Sequence, residues 1–171
     1  SMPNQKKGII PSKKWKKTTL GESWYAGETL ISGIGQGFVL TSPFQLAVMT
    51  SIIASDGKIV EPTIIKSRNT NFKTNSNYSK EIKIIKKAMF KVVNENKGTA
   101  FKSRLKDVKF AGKTGTSQVR SISLAERESD EFRKKEQEWK NRDHALFVGY
   151  MPYDDPQYAI SVIIEHGGSG A

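Results

Sequence analysis

The stretch "AGKTGTSQV", residues 111–119, decides how the rest of the chain is interpreted, because it follows the strand-like run "VKF" and is itself typical of a β-strand. Side chains alternate along a strand, so Thr114 and Thr116 share one side, Lys113 points to the other, and Gly115 leaves a gap. Two hydroxyls, a cation and bare backbone suit a ligand with a carboxylate, and the outward N–H of Thr116 is placed to serve an oxyanion. The structural alternative is a solvated edge strand with chance threonines.

Two nucleotide-binding interpretations fail on spacing. A phosphate loop around "GKT" requires a glycine five residues before Gly112, and Asp107 occupies that position. "GIGQGF", residues 33–38, begins like a dinucleotide fingerprint, but its third required glycine falls on Phe38. This segment is better explained as a tight chain reversal before the next helix.

Two helices are expected on either side of a polar stretch. The first begins in "TSPFQLAVMTSIIASDGK", where Ser42 is the predicted N-cap, Pro43 the first helical residue, Gln45 the capping-box partner and Gly57 the C-cap. The second begins near Ser79. Its apolar stripe and closing glycine are Ile82, Ile85, Met89, Val92 or Val93, and Gly98.

The C-terminal part predicts a β-hairpin formed by "HALFVGYM" and "QYAISVIIE", residues 144–151 and 157–165. We expect residues 1–40 to be extended and loop-rich, with an edge strand at 58–65 and an exposed loop at 66–78. Residues 124–142 predict an exposed, densely charged helix. The expected fold class is α+β, an antiparallel sheet packed by helices.

The chain of 171 residues is strongly basic, with Lys+Arg 28 against Asp+Glu 17 and a formal net charge of +11. Part of this charge is concentrated in "KKWKK", Lys13 to Lys17. Nucleic acid, anionic lipid headgroups or an anionic cell-wall polymer would each complement such a patch, and a lysine-rich solvated surface is the simpler alternative. The absence of cysteine excludes disulfides, a cysteine nucleophile and thiolate metal sites.

The two histidines, His144 and His166, flank the strands of the predicted hairpin. No carboxylate cluster at metal-ligand spacing accompanies them. We therefore expect them to be strand-end or loop residues, and we expect neither a metal nor a cofactor.

A long ordered set of motifs resembles one family. The set comprises "PSKKWKK", "WYAGETLISGIGQGFVLTSPFQLA", "AGKTGTSQV", "LAERE" and "HALFVGYMPYDDPQYAISVIIEHGGSGA". A K-T-G motif is part of the signature of penicillin-binding proteins and serine β-lactamases. The chain is similar to the class B penicillin-binding proteins, most closely their elongation-type members, over nearly its whole length.

The resemblance implies a serine-type D,D-transpeptidase that cross-links peptidoglycan stem peptides during cell-wall elongation and is the target of β-lactams. It implies that Lys113 supports the hydroxyl and proton network of the serine site. Thr114 and Thr116 would bind the terminal carboxylate of D-Ala-D-Ala or of a penicillin, alongside Gly115, and the Thr116 N–H would form half of an oxyanion hole. A D,D-carboxypeptidase or β-lactamase-related hydrolase, and a basic polyanion-binding or nucleic-acid-binding module, are the alternatives.

Such chemistry needs a serine and a lysine one helical turn apart, and no pair in this sequence lies in a suitable context. "SDGK" at Ser55 and "SRLK" at Ser103 match the string, as "SRN" at 67–69 matches a second motif, but each lies in the wrong context. We therefore expect residues 1–7 to be a cloning scar and tail, and residues 8–171 to be the C-terminal portion of a transpeptidase domain whose nucleophile lies elsewhere. The isolated chain is expected to be inactive.

The resemblance further implies an inner-membrane protein with a periplasmic catalytic domain, partnered by elongation-complex membrane proteins.

Overall fold

The computed structural model describes residues 6–59, 62–64, 73–74, 78–119 and 138–171. The chain forms two compact units, residues 1–46 and 47–171. The elements in chain order are α1 (Lys13–Leu20), α2 (Ala26–Gly33), α3 (Pro43–Ala54), β1 (Lys58–Ile59), β2 (Lys73–Thr74), α4 (Ser79–Asn94), β3 (Ala111–Ser117), β4 (His144–Met151) and β5 (Tyr158–Ile164). The predicted α+β class is confirmed. None of the helices in the described ranges is long and apolar enough to cross a membrane.

The expectation of an extended segment over residues 1–40 is wrong, because α1 and α2 both lie within it. Ser12 caps α1 by accepting a hydrogen bond from the Trp15 amide at 3.1 Å, and Gly21 ends it in the left-handed region with φ of 73°. The amide of Tyr25 donates to the Glu28 carboxylate at 2.7 Å at the start of α2. These caps are local signals that the weak apolar periodicity of the segment obscures.

Lys16 shows that the basic run is not a uniform surface patch. Its side chain is buried, with Nζ 2.6 Å from Glu28 and 3.2 Å from Glu22. The same ammonium lies 4.5 Å from the centroid of the Tyr25 ring, where a cation is attracted by the aromatic face. The hydrogen bond from Lys16 raises its own pKa and lowers the pKa of Glu28, while burial opposes both shifts. The exposed lysines of the run are Lys13, Lys14 and Lys17.

The substitution Lys16→Met is expected to destabilise residues 1–46, because it leaves the Glu28 carboxylate without its cation. The lost stability should be constant between the ordinary pKa values of the two groups, 4.5 and 10.5. The difference in stability should become smaller below pH 4.5, as the pH falls through the lowered pKa of Glu28 and the carboxylate is protonated. It should also become smaller above pH 10.5, as the pH rises through the raised pKa of Lys16 and the ammonium loses its proton. Thermal unfolding against pH measures the effect, with the exposed Lys13→Met as control. Equal melting temperatures of the two variants would contradict the prediction.

The predicted helix at Ser42 is confirmed as α3. The Ser42 amide donates to the Gln45 side chain at 2.9 Å, and the Gln45 amide donates to the Ser42 hydroxyl at 3.2 Å, which completes a capping box. Pro43 is the first helical residue, as predicted. Gly57, with φ of 89°, donates its amide to the Ile52 carbonyl at 2.8 Å beyond the helix end.

β3, β4 and β5 form a three-stranded antiparallel sheet in that order, so the predicted hairpin is confirmed and β3 lies at one margin. The register places Thr114 opposite Phe147 and Val148 opposite Ser161. β5 forms the other margin of this sheet. Its exposed large side chains are Tyr158, Ile160, Val162 and Ile164.

α4 packs on β3, and its apolar stripe builds the core of residues 47–171. Met89 lies in one buried cluster with Ala54, Ala111 and Tyr150, and Val93 lies in a second with Ala100 and Phe110. Ile82 is also buried, as predicted, but Ile85 is 42% exposed and was wrongly placed on the buried stripe.

Two weaker predictions have different outcomes. A strand does form at Lys58–Ile59, but it pairs with Lys73–Thr74, which lies inside the segment predicted to be a loop. Most of the predicted helix at 124–142 lies outside the described residues. Its described end contains a short 3-10 helix at Trp139–Asn141.

Candidate active site

β3 presents the predicted site residues along a sheet margin. In the described residues it has a neighbouring strand, β4, on one side only. Strand alternation sets Thr114 and Thr116 on one face and Lys113 on the other, as predicted. Lys113 and Thr116 are exposed, whereas Thr114 is buried. Among the described residues, the margin of β3 opposite β4 has no paired strand, which is the arrangement in which an extended ligand can add alongside a strand.

Thr114 differs from the expectation that both hydroxyls face the ligand freely. It is 8% exposed, and its Oγ1 lies 2.7 Å from Oγ1 of Thr99. Thr99 follows α4 and was missed by the sequence reasoning, because no periodicity connects residues 15 positions apart across a turn. The nearest available signal was Gly98, the predicted helix-closing glycine, which immediately precedes it.

Thr116 contacts the C-terminal loop. The amide of Gly170 donates to its hydroxyl at 3.5 Å, a long hydrogen bond. A Cβ added at Gly170 would overlap the carbonyl oxygens of Gly115 and Leu146, so only glycine can approach β3 and β4 this closely. The loop after β5 thus forms a second border of the site, which the sequence indicated only as a glycine-rich turn.

Lys113 is held along its own strand. Its ammonium donates to the carbonyl of Thr114 at 2.6 Å. This contact holds the positive charge close to the backbone of β3. A cation at a sheet margin is suited to an anionic group.

In the described residues, no hydrogen bond joins the serine hydroxyl to the lysine ammonium in either serine–lysine string. The hydroxyl of Ser55 donates to backbone carbonyls at Ile52 and Lys58, beyond the end of α3. Ser103 closes a 3-10 helix, Phe101–Ser103, and in the described part of the chain no hydrogen bond joins it to Lys106. The expectation that neither string supplies the nucleophile stays a prediction, and the "SRN" string at 67–69 lies outside the described residues.

His144 and His166 pack against each other, with ring centroids 4.7 Å apart. The His166 amide donates to Nδ1 of His144 at 2.9 Å, and Nδ1 of His166 lies 3.0 Å from the Arg142 carbonyl. The ring of Trp139 packs against His166 in a tilted arrangement, with the centroids 4.4 Å apart. Both rings are thereby fixed as parts of the β4–β5 end, and no group of three metal-ligating side chains occurs within the described ranges.

A groove of about 410 Å³ adjoins the hydroxyl pair of Thr99 and Thr114. Its polar end contains Thr99, Ser103 and Thr114, next to Gly170 and the chain end. Its apolar wall comes mainly from β4 and β5, through Phe147, Tyr158, Ile160 and Val162.

Comparison with known proteins identifies the family. The penicillin binding protein transpeptidase domain family matches residues 1–171. The peptidoglycan D,D-transpeptidase MrdA of Acinetobacter baumannii is 36% identical over an alignment of 184 positions. The alignment covers 99% of this chain and 26% of that protein. The chain thus spans about a quarter, 26%, of the length of the curated relatives it matches first.

Solved structures agree with this assignment. Penicillin-binding protein 2 of Helicobacter pylori, in a complex with MreC, superimposes with a TM-score of 0.82 at 34% identity, covering 96% of this chain and 28% of that one. Penicillin-binding protein 2 of Pseudomonas aeruginosa, in complex with WCK 5153, gives 0.75 at 32% identity, covering 99% and 36%. These relatives favour neither the hydrolase alternatives nor a polyanion-binding module. The chain belongs to the penicillin-binding protein transpeptidase domain family, and the relatives described above are an MrdA transpeptidase and two penicillin-binding protein 2 structures.

Proposed function

We propose that this chain supplies one wall of the acyl-transfer site of a peptidoglycan D,D-transpeptidase. The observation that carries the proposal is the edge strand β3, on which Lys113 and Thr116 are exposed beside an open margin. In the reaction a serine outside residues 8–171 attacks the carbonyl of the D-Ala-D-Ala bond, and D-alanine leaves. An amine of a neighbouring stem peptide then takes the acyl group and releases the serine.

The residues of β3 have separate roles in this scheme. The hydroxyls of Thr116 and Thr114 bind the terminal carboxylate of the stem peptide or of a β-lactam, through charge-assisted hydrogen bonds. The amide of Thr116 donates to the oxyanion that develops on the attacked carbonyl. Gly115 has no side chain to obstruct the ligand, and Lys113 supports the proton network of the serine.

The setting of the whole protein is part of the proposal. Residues 1–7 are a tail, and residues 8–171 are the C-terminal portion of a catalytic domain that faces the periplasm, anchored in the bacterial inner membrane. Its partners are membrane proteins of the elongation complex, so the enzyme contributes to cell shape. The Helicobacter pylori relative, solved as a complex with MreC, supports a partner of this kind.

Labelling with a fluorescent penicillin tests the proposal directly. The full-length protein is expected to give a covalent band, because its serine attacks the β-lactam carbonyl and the acyl-enzyme is long-lived. The isolated chain of 171 residues is expected to give none, because the proposed nucleophile lies outside it. Denatured full-length protein is the matched control for nonspecific labelling. A band from the isolated chain would place the nucleophile within it, and an unlabelled full-length protein would refute the assigned activity.

A further inference from the structure

Thr99 is held in place by main-chain contacts on both sides. The amide of Ala100 donates to the Val92 carbonyl at 3.0 Å, and the amide of Gly98 donates to the Glu95 carbonyl at 2.8 Å. Ala100 is also 5% exposed and belongs to the core. Because both neighbours are fixed on the end of α4, the position of the Thr99 backbone is determined independently of its hydroxyl.

Asn94 connects this same turn to β3. Its side-chain amide donates to the carbonyl of Phe90 at 2.8 Å, within α4, and to the carbonyl of Phe110 at 2.9 Å. Phe110 immediately precedes β3. These hydrogen bonds fix the distance between the Thr99 turn and β3. The Thr99 hydroxyl is therefore held at a defined position relative to the strand.

The hydroxyls of Thr99 and Thr114 form a close pair at 2.7 Å, the usual distance for O–H···O hydrogen bonds. A threonine hydroxyl has one proton to donate. If Thr114 gave its proton to Thr99, none would be available to a carboxylate. If Thr99 is the donor, the Thr114 proton is available, and the bond it accepts polarises that proton further.

We propose that Thr99 is a positioning residue, which donates its hydroxyl proton to Thr114 and so directs the Thr114 proton toward the carboxylate of the ligand. This inference rests on the proposed function of β3. Thr99 acts through Thr114 and need not touch the reacting atoms. The groove that both residues line leaves Thr99 exposed, so its hydroxyl can be altered with little disturbance of the core.

The test compares variants of the full-length protein by the rate of acylation with a fluorescent penicillin. Thr99→Val keeps the side-chain shape but removes the hydroxyl. It should slow acylation about tenfold, because the Thr114 proton is then no longer directed toward the carboxylate, and hydrogen bonds to charged groups are the strong ones. Thr99→Ser keeps the hydroxyl and should restore the rate to within about twofold. Melting temperatures of both variants should match that of the unaltered protein, which separates positioning from folding.

A double-variant cycle decides whether Thr99 acts through Thr114. In a Thr114→Val background, adding Thr99→Val should cause no further loss, because the partner hydroxyl is already gone. A penicillin esterified at its carboxylate should acylate the protein at nearly equal rates with and without Thr99→Val. Additive losses, or an unchanged rate for Thr99→Val in a protein that is labelled, would overturn the positioning role. An unaltered protein that takes up no label would instead refute the proposed function on which the role rests.

Discussion

Replacing Thr116 with valine in the full-length protein is expected to slow acylation by a penicillin by about 10- to 100-fold, the range that loss of a hydrogen bond to a charged group predicts. Thr116 is the exposed hydroxyl of β3 beside the open margin, and it faces the same side as Thr114. The measurement is the second-order acylation rate constant. Ser117→Ala is the matched control, because Ser117 is the next residue of β3 and points to the other face.

Valine keeps the main-chain N–H of Thr116, so the expected loss reports the hydroxyl alone and leaves the oxyanion contact in place. Thr116→Ser should recover most of the rate. The rate of acylation by a carboxylate-esterified penicillin should be little affected by Thr116→Val. If Thr116→Val were acylated as fast as Ser117→Ala, carboxylate binding by this hydroxyl would be disproved.

Substituting Gly98 with alanine is expected to lower the free energy of unfolding by about 2–3 kcal/mol, the usual cost of overpacking a tight site. A Cβ at Gly98 would overlap the Val92 carbonyl oxygen and lie 2.6 Å from the carbonyl oxygen of Lys91. These are backbone atoms of the last turn of α4, and they cannot move aside without breaking helical hydrogen bonds. The turn must therefore shift, and Thr99 shifts with it.

Urea unfolding of the chain measures this cost from the change in midpoint at constant slope. Lys97→Ala is the matched control, since Lys97 is exposed and adjoins Gly98, and it should change stability by less than about 0.5 kcal/mol. Indistinguishable midpoints for the two variants would show that the turn accommodates a side chain at this position.

The sequence supports good predictions wherever short-range rules apply. Strand alternation places Thr114 and Thr116 on one face of β3. The capping signals at Ser42 correctly predicted where α3 begins. Both follow from the backbone of neighbouring residues, which the local sequence specifies. The hairpin of β4 and β5 belongs to the same class, because alternation and a turn between two strands are visible locally.

The failures are contacts between residues far apart in the chain. α1 is polar on most of its surface, and the burial of Lys16 depends on Glu28, 12 residues later. The hydroxyl pair of Thr99 and Thr114 likewise joins a helix end to a strand. Gly170 reaches Thr116 across 54 residues. No local pattern encodes such partners, which help to leave Thr116 exposed while Thr114 is buried.

We expect the outer margin at β5 to promote self-association of the isolated chain in concentrated samples. Alternate side chains from Tyr158 to Ile164 are exposed there, on a strand with one neighbour in the described sheet. Such an edge is a template on which a second copy can add its own strand. A dimer formed through this edge at crystallisation concentrations would result from the unpaired backbone groups of β5. The symmetry of such a dimer would therefore differ in origin from any assembly of the protein in the cell.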